Sequence, residues 1–366
     1  MKLHFLCVIS LLLGIFHRAK AQENSPSDKG SSLSHVGIKA HYGFIFAHSR
    51  DVSNLANSYP SGIEINLSKR LTTQKTWDQC HCFPHVGLIF SYFDYDNSIV
   101  GKSVTAAPYL EPVFKINPSI HFSVRGALGL SYLTHPYDAL SNPANQSYSI
   151  PLGGYLALGT GFHIRTSDRL WFNMSAQYNH ISNGGIKEPN KGLNYPTVAG
   201  GFHYYLEAPS LPTWPVQNNE NSTKLNFRTE IYGSSKSILP GEKKRYFIGG
   251  FQLSAGKRIG LLNSLRAGAE WTFDYALQER LRRNGSNTKH FHRAGILLGH
   301  EFLMGKFLFS QHMGWYAYNP SGYNTLLYQR YSLLYKINSR WFTGFNLKAH
   351  GHVANFIDLR IGRSIN

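Results

Sequence analysis

Leu170-Trp171-Phe172-Asn173-Met174-Ser175-Ala176-Gln177-Tyr178-Asn179-His180-Ile181-Ser182 reads as one β-strand with two unlike faces. Leu170, Phe172, Met174, Ala176 and Tyr178 alternate with Trp171, Asn173, Ser175, Gln177 and Asn179, which is the two-residue period of a half-buried strand. His180 and Ser182 continue the apolar parity. Residues i and i+2 project from the same side, so an imidazole and a hydroxyl share one face at the strand's end. A base beside a hydroxyl is the first half of an activated serine. On a greasy face it suits a barrel in a membrane whose substrate is a lipid, whereas a strand-end polar pair with no chemistry is the plain alternative.

The pattern extends in both directions. Ile120, Phe122, Val124, Leu128, Leu130 and Tyr132 share one face, as do Leu265, Ala267, Ala269, Trp271, Phe273 and Tyr275. Opposite the second set stand Arg266, Glu270 and Asp274, which a barrel would turn towards a polar lumen. Counting every alternating segment gives about 16 strands, with 12 to 14 as the runner-up, in an all-β antiparallel transmembrane barrel. Connectors alternate in length. Asn117-Pro118, Thr166-Asp168 and Met304-Gly305 are tight, while Asp51-Pro60, His135-Tyr148, Ile181-Asn194 and Ala276-Lys289 are long, as short turns on one side and long loops on the other require. The 207–223 stretch, with Pro209, Pro212 and Pro215, looks like a boundary between halves. Cutting a barrel there would open two sheet edges, so a single barrel over residues 35–366 is expected.

Composition agrees with an exported barrel. The 366-residue chain is 14% aromatic, with 22 Tyr and 23 Phe, and only 16% charged. Met1–Ala21, with Lys2, an apolar run from Phe5 to Phe16 and Ala19-Lys20-Ala21, reads as a secretory signal peptide, and residues 22–34 as a flexible lead-in. No later segment is apolar for long enough to be a membrane helix. Without Lys2, Arg18 and Lys20 the chain keeps 34 basic residues against 20 acidic ones. That excess seeks polyanions, and an exported barrel meets phosphorylated glycolipid rather than nucleic acid. Arg280, Arg282, Arg283 and Arg293, in one long connector, are the phosphate-binding candidates.

The segment from His180 onward carries a longer motif. His180, Ser182, Asn183 and Gly184, followed by Pro189, Asn190 and Gly192, resemble the lipid A deacylase family of outer-membrane barrels, the PagL type, which includes chains named acyloxyacyl hydrolase. The likeness is clearest from about Arg125 to Leu206. It implies a bacterial outer-membrane serine esterase acting on lipid A or lipopolysaccharide, with Ser182 as nucleophile, His180 as general base, and Asn190, supported by Asn183 and Gly184, at the oxyanion. Asn194 stands where the family pattern has a glutamate. An amide oxygen still fixes an imidazole tautomer, but it lacks a carboxylate's charge. Glu188 is the nearest substitute acid in the sequence. The competing reading is a non-catalytic barrel, for solute transport or a structural role, that retains a relic of the motif.

Cys80-His81-Cys82-(x)2-His85 offers either a tight disulfide or ligand types for zinc. It has no convincing metal context, and the other histidines are scattered, so no metal or cofactor is expected.

Overall fold

The computed structural model describes residues 32–184, 187–215, 224–239, 242, 244–351 and 353–365. The expected signal peptide and most of the lead-in lie outside these residues. Seventeen strands run through the rest: β1 Ser32–Gly43, β2 Ser61–Leu71, β3 His85–Asp94, β4 Lys102–Glu111, β5 Val113–Lys115, β6 Ile120–Leu133, β7 Leu152–Arg165, β8 Leu170–Ser182 and β9 Leu193–Tyr205 in the first half. The second half holds β10 Asn226–Lys236, β11 Tyr246–Arg258, β12 Asn263–Asp274, β13 His292–Met304, β14 Phe307–Tyr318, β15 Leu327–Lys336, β16 Trp341–His350 and β17 Val353–Ile365. Two α-helices lie in connectors, α1 Gln74–Cys80 and α2 Tyr275–Arg283, and a short 3-10 helix spans Arg50–Leu55.

The antiparallel barrel class and the strand number stand, but the strands close into two rings rather than one. β9 pairs back onto β1, with Val36 opposite Tyr204 and Ala40 opposite Gly200. β4 meets β6, and β5 is only a short continuation of β4 past Pro112. The second ring closes where β10 meets β17, with Ile231 opposite Ile361. Each ring thus has eight principal strands. The edge penalty that argues against cutting the chain at the proline-rich stretch is avoided, because each half pairs its own first and last strands.

Alternation sets the two surfaces. Ile38, Leu128, Met174 and Phe202 in the first barrel, and Ile231, Leu253, Leu298 and Phe345 in the second, are exposed on the outside. That apolar band is the lipid-facing surface of a membrane barrel. The inward residues are polar and tightly packed, as eight strands leave an interior just wide enough for side chains. Arg266, Glu270 and Asp274 therefore sit in salt bridges rather than along an open passage. Arg266 and Arg228 bind Glu301 at 3.1 and 2.6 Å, while Arg330 and Lys348 bind Glu270 at 2.7 and 2.9 Å. In the first barrel Arg125 and Glu64 pair at 2.8 Å in mid-lumen. Towards the long loops an aromatic cluster of Phe93, Tyr95, Tyr148, Tyr155 and Tyr195 fills the first barrel.

The Thr72–Pro84 connector holds α1, capped by the Thr73 hydroxyl accepting the Thr76 N–H. Cys80 and Cys82 form a disulfide, which takes both sulfurs out of consideration as zinc ligands.

Candidate active site

Strand β8 ends at Ser182 on the side of the long loops, and its last outward residues are His180 and Ser182. Ile181 between them is fully buried in the lumen, while His180 and Ser182 are half-buried on the outer face. This is the face the alternation predicts. The neighbouring strand supplies the partner, since His180 lies directly opposite Asn194 in the β8–β9 register. The imidazole Nδ1 and Asn194 Oδ1 are 2.6 Å apart. With Nδ1–H donating to the amide oxygen, Nε2 carries the free lone pair that a general base needs.

Beyond Asn194 stands a residue that sequence reasoning passed over. Asn194 Nδ2 donates to His48 Nδ1 at 2.8 Å, so imidazole, amide and imidazole form one chain. His48 reaches the site because the backbone after β1 keeps pairing with β9, Phe46 N–H donating to Asn194 O at 2.8 Å. Phe44, Phe46 and His48 share the outward parity, and that continuation past Gly43 is the one signal that could have found it.

The loop between β8 and β9 is held from within. Asn183 N–H donates to Asn190 Oδ1 at 3.0 Å, and Asn183 Nδ2 donates to Lys187 O at 2.7 Å and Ser149 Oγ at 3.2 Å. Asn183 is thus a loop brace. Asn190 Nδ2 makes no hydrogen bond among the described residues. Glu188 is exposed, and its carboxylate accepts Asn190 N–H at 2.9 Å. The imidazole is partnered by Asn194 and not by Glu188. Gly192 has φ +78°, and a Cβ there would stand 2.7 Å from His180 Cε1, so this glycine gives the ring its room. Gly184, also left-handed at φ +66°, turns the chain away from the strand. Among the described residues no hydrogen bond joins Ser182 Oγ to the imidazole.

A groove of about 1040 Å³ runs along the lipid-facing surface below this site. Tyr178 and Pro196, one outward position below His180 and Asn194, form part of it, and Tyr42, Phe44, Leu158 and Val198 line it further.

Residues 62–203 match the family model for lipid A 3-O-deacylase (PagL), and residues 224–366 match that for the C-terminal domain of acyloxyacyl hydrolase. The chain belongs to the PagL lipid A deacylase family. The first match runs from β2 to β9 of the first barrel and the second covers the second barrel, so the family likeness reaches well beyond the segment in which the sequence reading finds it clearest. It is a bacterial outer-membrane protein. Similar solved structures include the outer-membrane enzyme PagL, 14% identical over 48% of this chain and 99% of that one, with a TM-score of 0.33. Ail of Yersinia pestis is 16% identical over 47% of this chain and 99% of that one, at 0.24. A triple mutant of the Rhodopseudomonas blastica porin is 8% identical over 92% of this chain and 99% of that one, at 0.18. No curated protein matches the chain.

The arginine candidates lie in the second barrel and are largely spoken for. Arg282 binds Glu279 at 2.7 Å, and Arg283 binds Glu242 at 2.5 Å and Glu279 at 3.0 Å. Those hydrogen bonds hold the Glu279 carboxyl down at about 2. Arg280 donates to Ile238 O at 2.9 Å and covers the Tyr323 ring. Arg293 is a correction to the expectation of an exposed phosphate ligand. It follows the inward parity of β13, is fully buried, and binds Asp274 at 2.5 Å.

Proposed function

We propose that the first barrel is a serine esterase that removes an ester-linked acyl chain from lipid A, working at the membrane-facing rim of the long-loop end. Ser182 Oγ attacks the ester carbonyl as His180 Nε2 takes its proton. Asn194 fixes the imidazole tautomer through Nδ1–H, and the imidazolium then protonates the departing sugar oxygen. Water, deprotonated by the same nitrogen, releases the fatty acid from the acyl-enzyme. Asn190 Nδ2 is free to donate to the oxyanion, since its oxygen is engaged by the loop. The apolar groove below Tyr178 suits the acyl chain, which would lie against the barrel among membrane lipids.

The observation that carries this reading is the 2.6 Å contact from His180 to Asn194 on the outward face, two residues from a serine within the family's motif. Ser182 Oγ makes no hydrogen bond to the imidazole among the described residues, and catalytic hydrogen bonds often tighten only when substrate binds. A conducting barrel draws no support from lumens packed with paired charges and rings. The test is mass spectrometry of lipid A from cells expressing the wild-type chain or Ser182→Ala. Loss of one acyl chain only with the wild type supports the esterase, and identical spectra, with both proteins folded in the outer membrane, refute it.

A further inference from the structure

The histidines that look scattered in the sequence converge in the lumen of the first barrel, at the end opposite the candidate active site. His35 opens β1, His85 opens β3, and His163 and His203 stand near the ends of β7 and β9, so all four lie towards the short turns. Their side chains are almost wholly buried, at 1%, 0%, 2% and 1% exposure. His35 lies 4.4 Å from His85 and 5.2 Å from His203, centroid to centroid. One ligand atom from each of His35, His85 and His203 falls in a set within 4.8 Å of one another, and His85, Glu111 and His163 form a second such set sharing His85.

Buried polar groups are almost always paired, yet this cluster is not. Among the described residues, both ring nitrogens of His35, both of His203, Nδ1 of His85 and Glu111 Oε2 have no partner within hydrogen-bond distance and angle. By contrast His163 is engaged, with Nε2 3.0 Å from Glu111 Oε1 and Nδ1 3.2 Å from Asn173 Nδ2. His85 Nε2 is 3.1 Å from the Tyr205 hydroxyl, which leaves Nδ1 as its open position. The unmet atoms are therefore those of the first triad, together with one carboxylate oxygen 3.7 Å from His85 Nδ1. Imidazole nitrogens that face one another in a dry interior repel as lone pairs or clash as N–H groups. A divalent cation satisfies them at once.

We propose that this cluster is a binding site for a divalent transition-metal ion, zinc above all, held by His35, His85 and His203 with Glu111 Oε2 supplying the balancing charge. Imidazole suits zinc, copper and nickel, whereas calcium and magnesium prefer oxygen ligands. Tetrahedral zinc with Zn–N bonds of about 2.0–2.1 Å spaces its donors about 3.4 Å apart, so the ring nitrogens need close by little more than about 1 Å. Tyr205 on His85, and Asn173 through His163 on Glu111, are the outer partners that orient such ligands. The ion would cross-link the starts of β1 and β3 to the end of β9, beside the β1–β9 seam that closes the ring. It lies far from Ser182 and serves structure rather than ester cleavage.

The test uses the full chain without a polyhistidine tag, extracted from outer membranes in detergent. Metal content is measured by elemental analysis, before and after stripping with a chelator and reloading with zinc or cobalt alone. The expected results are one equivalent per chain, a ligand-field spectrum of nitrogen-ligated cobalt, and a lower unfolding temperature after stripping. His203→Gln and His35→Gln should each weaken zinc binding by about 100-fold or more, while His290→Gln, in the α2 loop, should leave it unchanged. Heat-modifiable gel migration verifies that each variant is folded. A folded wild-type chain that takes up neither zinc nor cobalt overturns the proposal and leaves ordered water as the histidines' partner. Uptake equal in wild type and both triad variants overturns it as well.

Discussion

Asn194 is the residue on which the catalytic reading can be tested most sharply, because three substitutions there separate geometry from charge. In Asn194→Ala the His180 imidazole loses its partner at 2.6 Å and is free to present the wrong tautomer to Ser182. A hydrogen bond to a group that becomes charged is worth about 1.5–3 kcal/mol, so kcat should fall by about 10- to 150-fold. KM should scarcely move, since Asn194 touches the base and not the substrate. Asn194→Asp keeps the side-chain shape and puts an anionic oxygen in the same place. An imidazolium and a carboxylate about 4 Å apart attract by about 4 kcal/mol at an effective dielectric of 20, and burying the carboxylate returns much of that. The net expectation is a kcat equal to wild type or up to about 30-fold higher, from about 0–2 kcal/mol.

Asn194→Glu is longer by one methylene, and the register already sets the two residues directly opposite. Its carboxylate must fold back, so it should fall below the aspartate. The assay is initial-rate release of fatty acid from lipid A in mixed micelles, with heat-modifiable migration as the folding check. Wild-type kcat in Asn194→Ala would show that the amide does not orient the base, and the catalytic chain from His48 to Ser182 would fall with it.

Further expectations follow from the same contacts. His48→Phe removes the acceptor for Asn194 Nδ2, frees the amide to flip, and should lower kcat by about 3- to 10-fold, the range of one neutral hydrogen bond of about 1 kcal/mol; an effect as large as that of His180→Ala would make His48 the base instead. Gly192→Ala drives a methyl group into His180 Cε1 and should cost activity on the order of 100-fold, with the protein still folded, since a ring displaced by about 1 Å leaves its attack geometry. Glu270→Gln leaves Arg330 and Lys348 short of a counter-ion in the second lumen and should destabilise that barrel by about 3–5 kcal/mol, read from unfolding in urea. The depressed Glu279 carboxyl gives a pH expectation whose sign is fixed: its contribution to α2 order is complete above the ordinary carboxylate range and is lost as pH falls towards about 2. Protection factors of the 275–283 amides, taken relative to intrinsic exchange at each pH, should therefore be flat from pH 7 to about 5 and fall only below about 4, and a fall nearer neutrality would contradict the Arg282–Glu279–Arg283 pairing.

Local alternation made the strands legible. β8 falls on Leu170–Ser182, the span that parity marks, and β8 and β9 run two residues into each end of the connector expected at Ile181–Asn194. Closure was not legible, because parity says which face a residue takes and nothing about which strand lies across the seam. The β1–β9 and β10–β17 pairings join residues far apart in sequence. The helices were missed for a related reason: Gln74–Cys80 and Tyr275–Arg283 are too short for their period to stand out in polar connectors. His180 and Asn194 were found because a motif ties them together within one hairpin. The lumen histidines carry no local pattern, and His48 only the outward parity it shares with Phe44 and Phe46; the register of distant strands is what brings them into contact.

The ring size also determines where chemistry can happen. A single ring of about 16 strands would leave an aqueous lumen, and its inward charges would line a path for solutes. Eight strands leave none. Arg330 bridges Glu270 and Asp358, and Arg360 joins Asp358 to Glu230, so the second interior is a packed polar core. The first is closed by its aromatic cluster, the Glu64–Arg125 pair and the histidines. A bilayer lipid cannot enter either, so a barrel of this size that acts on lipid must do so on its outer wall. That is where His180 and Ser182 break the apolar parity with polar groups that a lipid-facing strand would otherwise exclude. Their cost on that surface is met by Asn194, itself outward and itself held by His48. The polar array outside the barrel and the salt-bridged interiors therefore share one origin, the closure of each half of the chain upon itself.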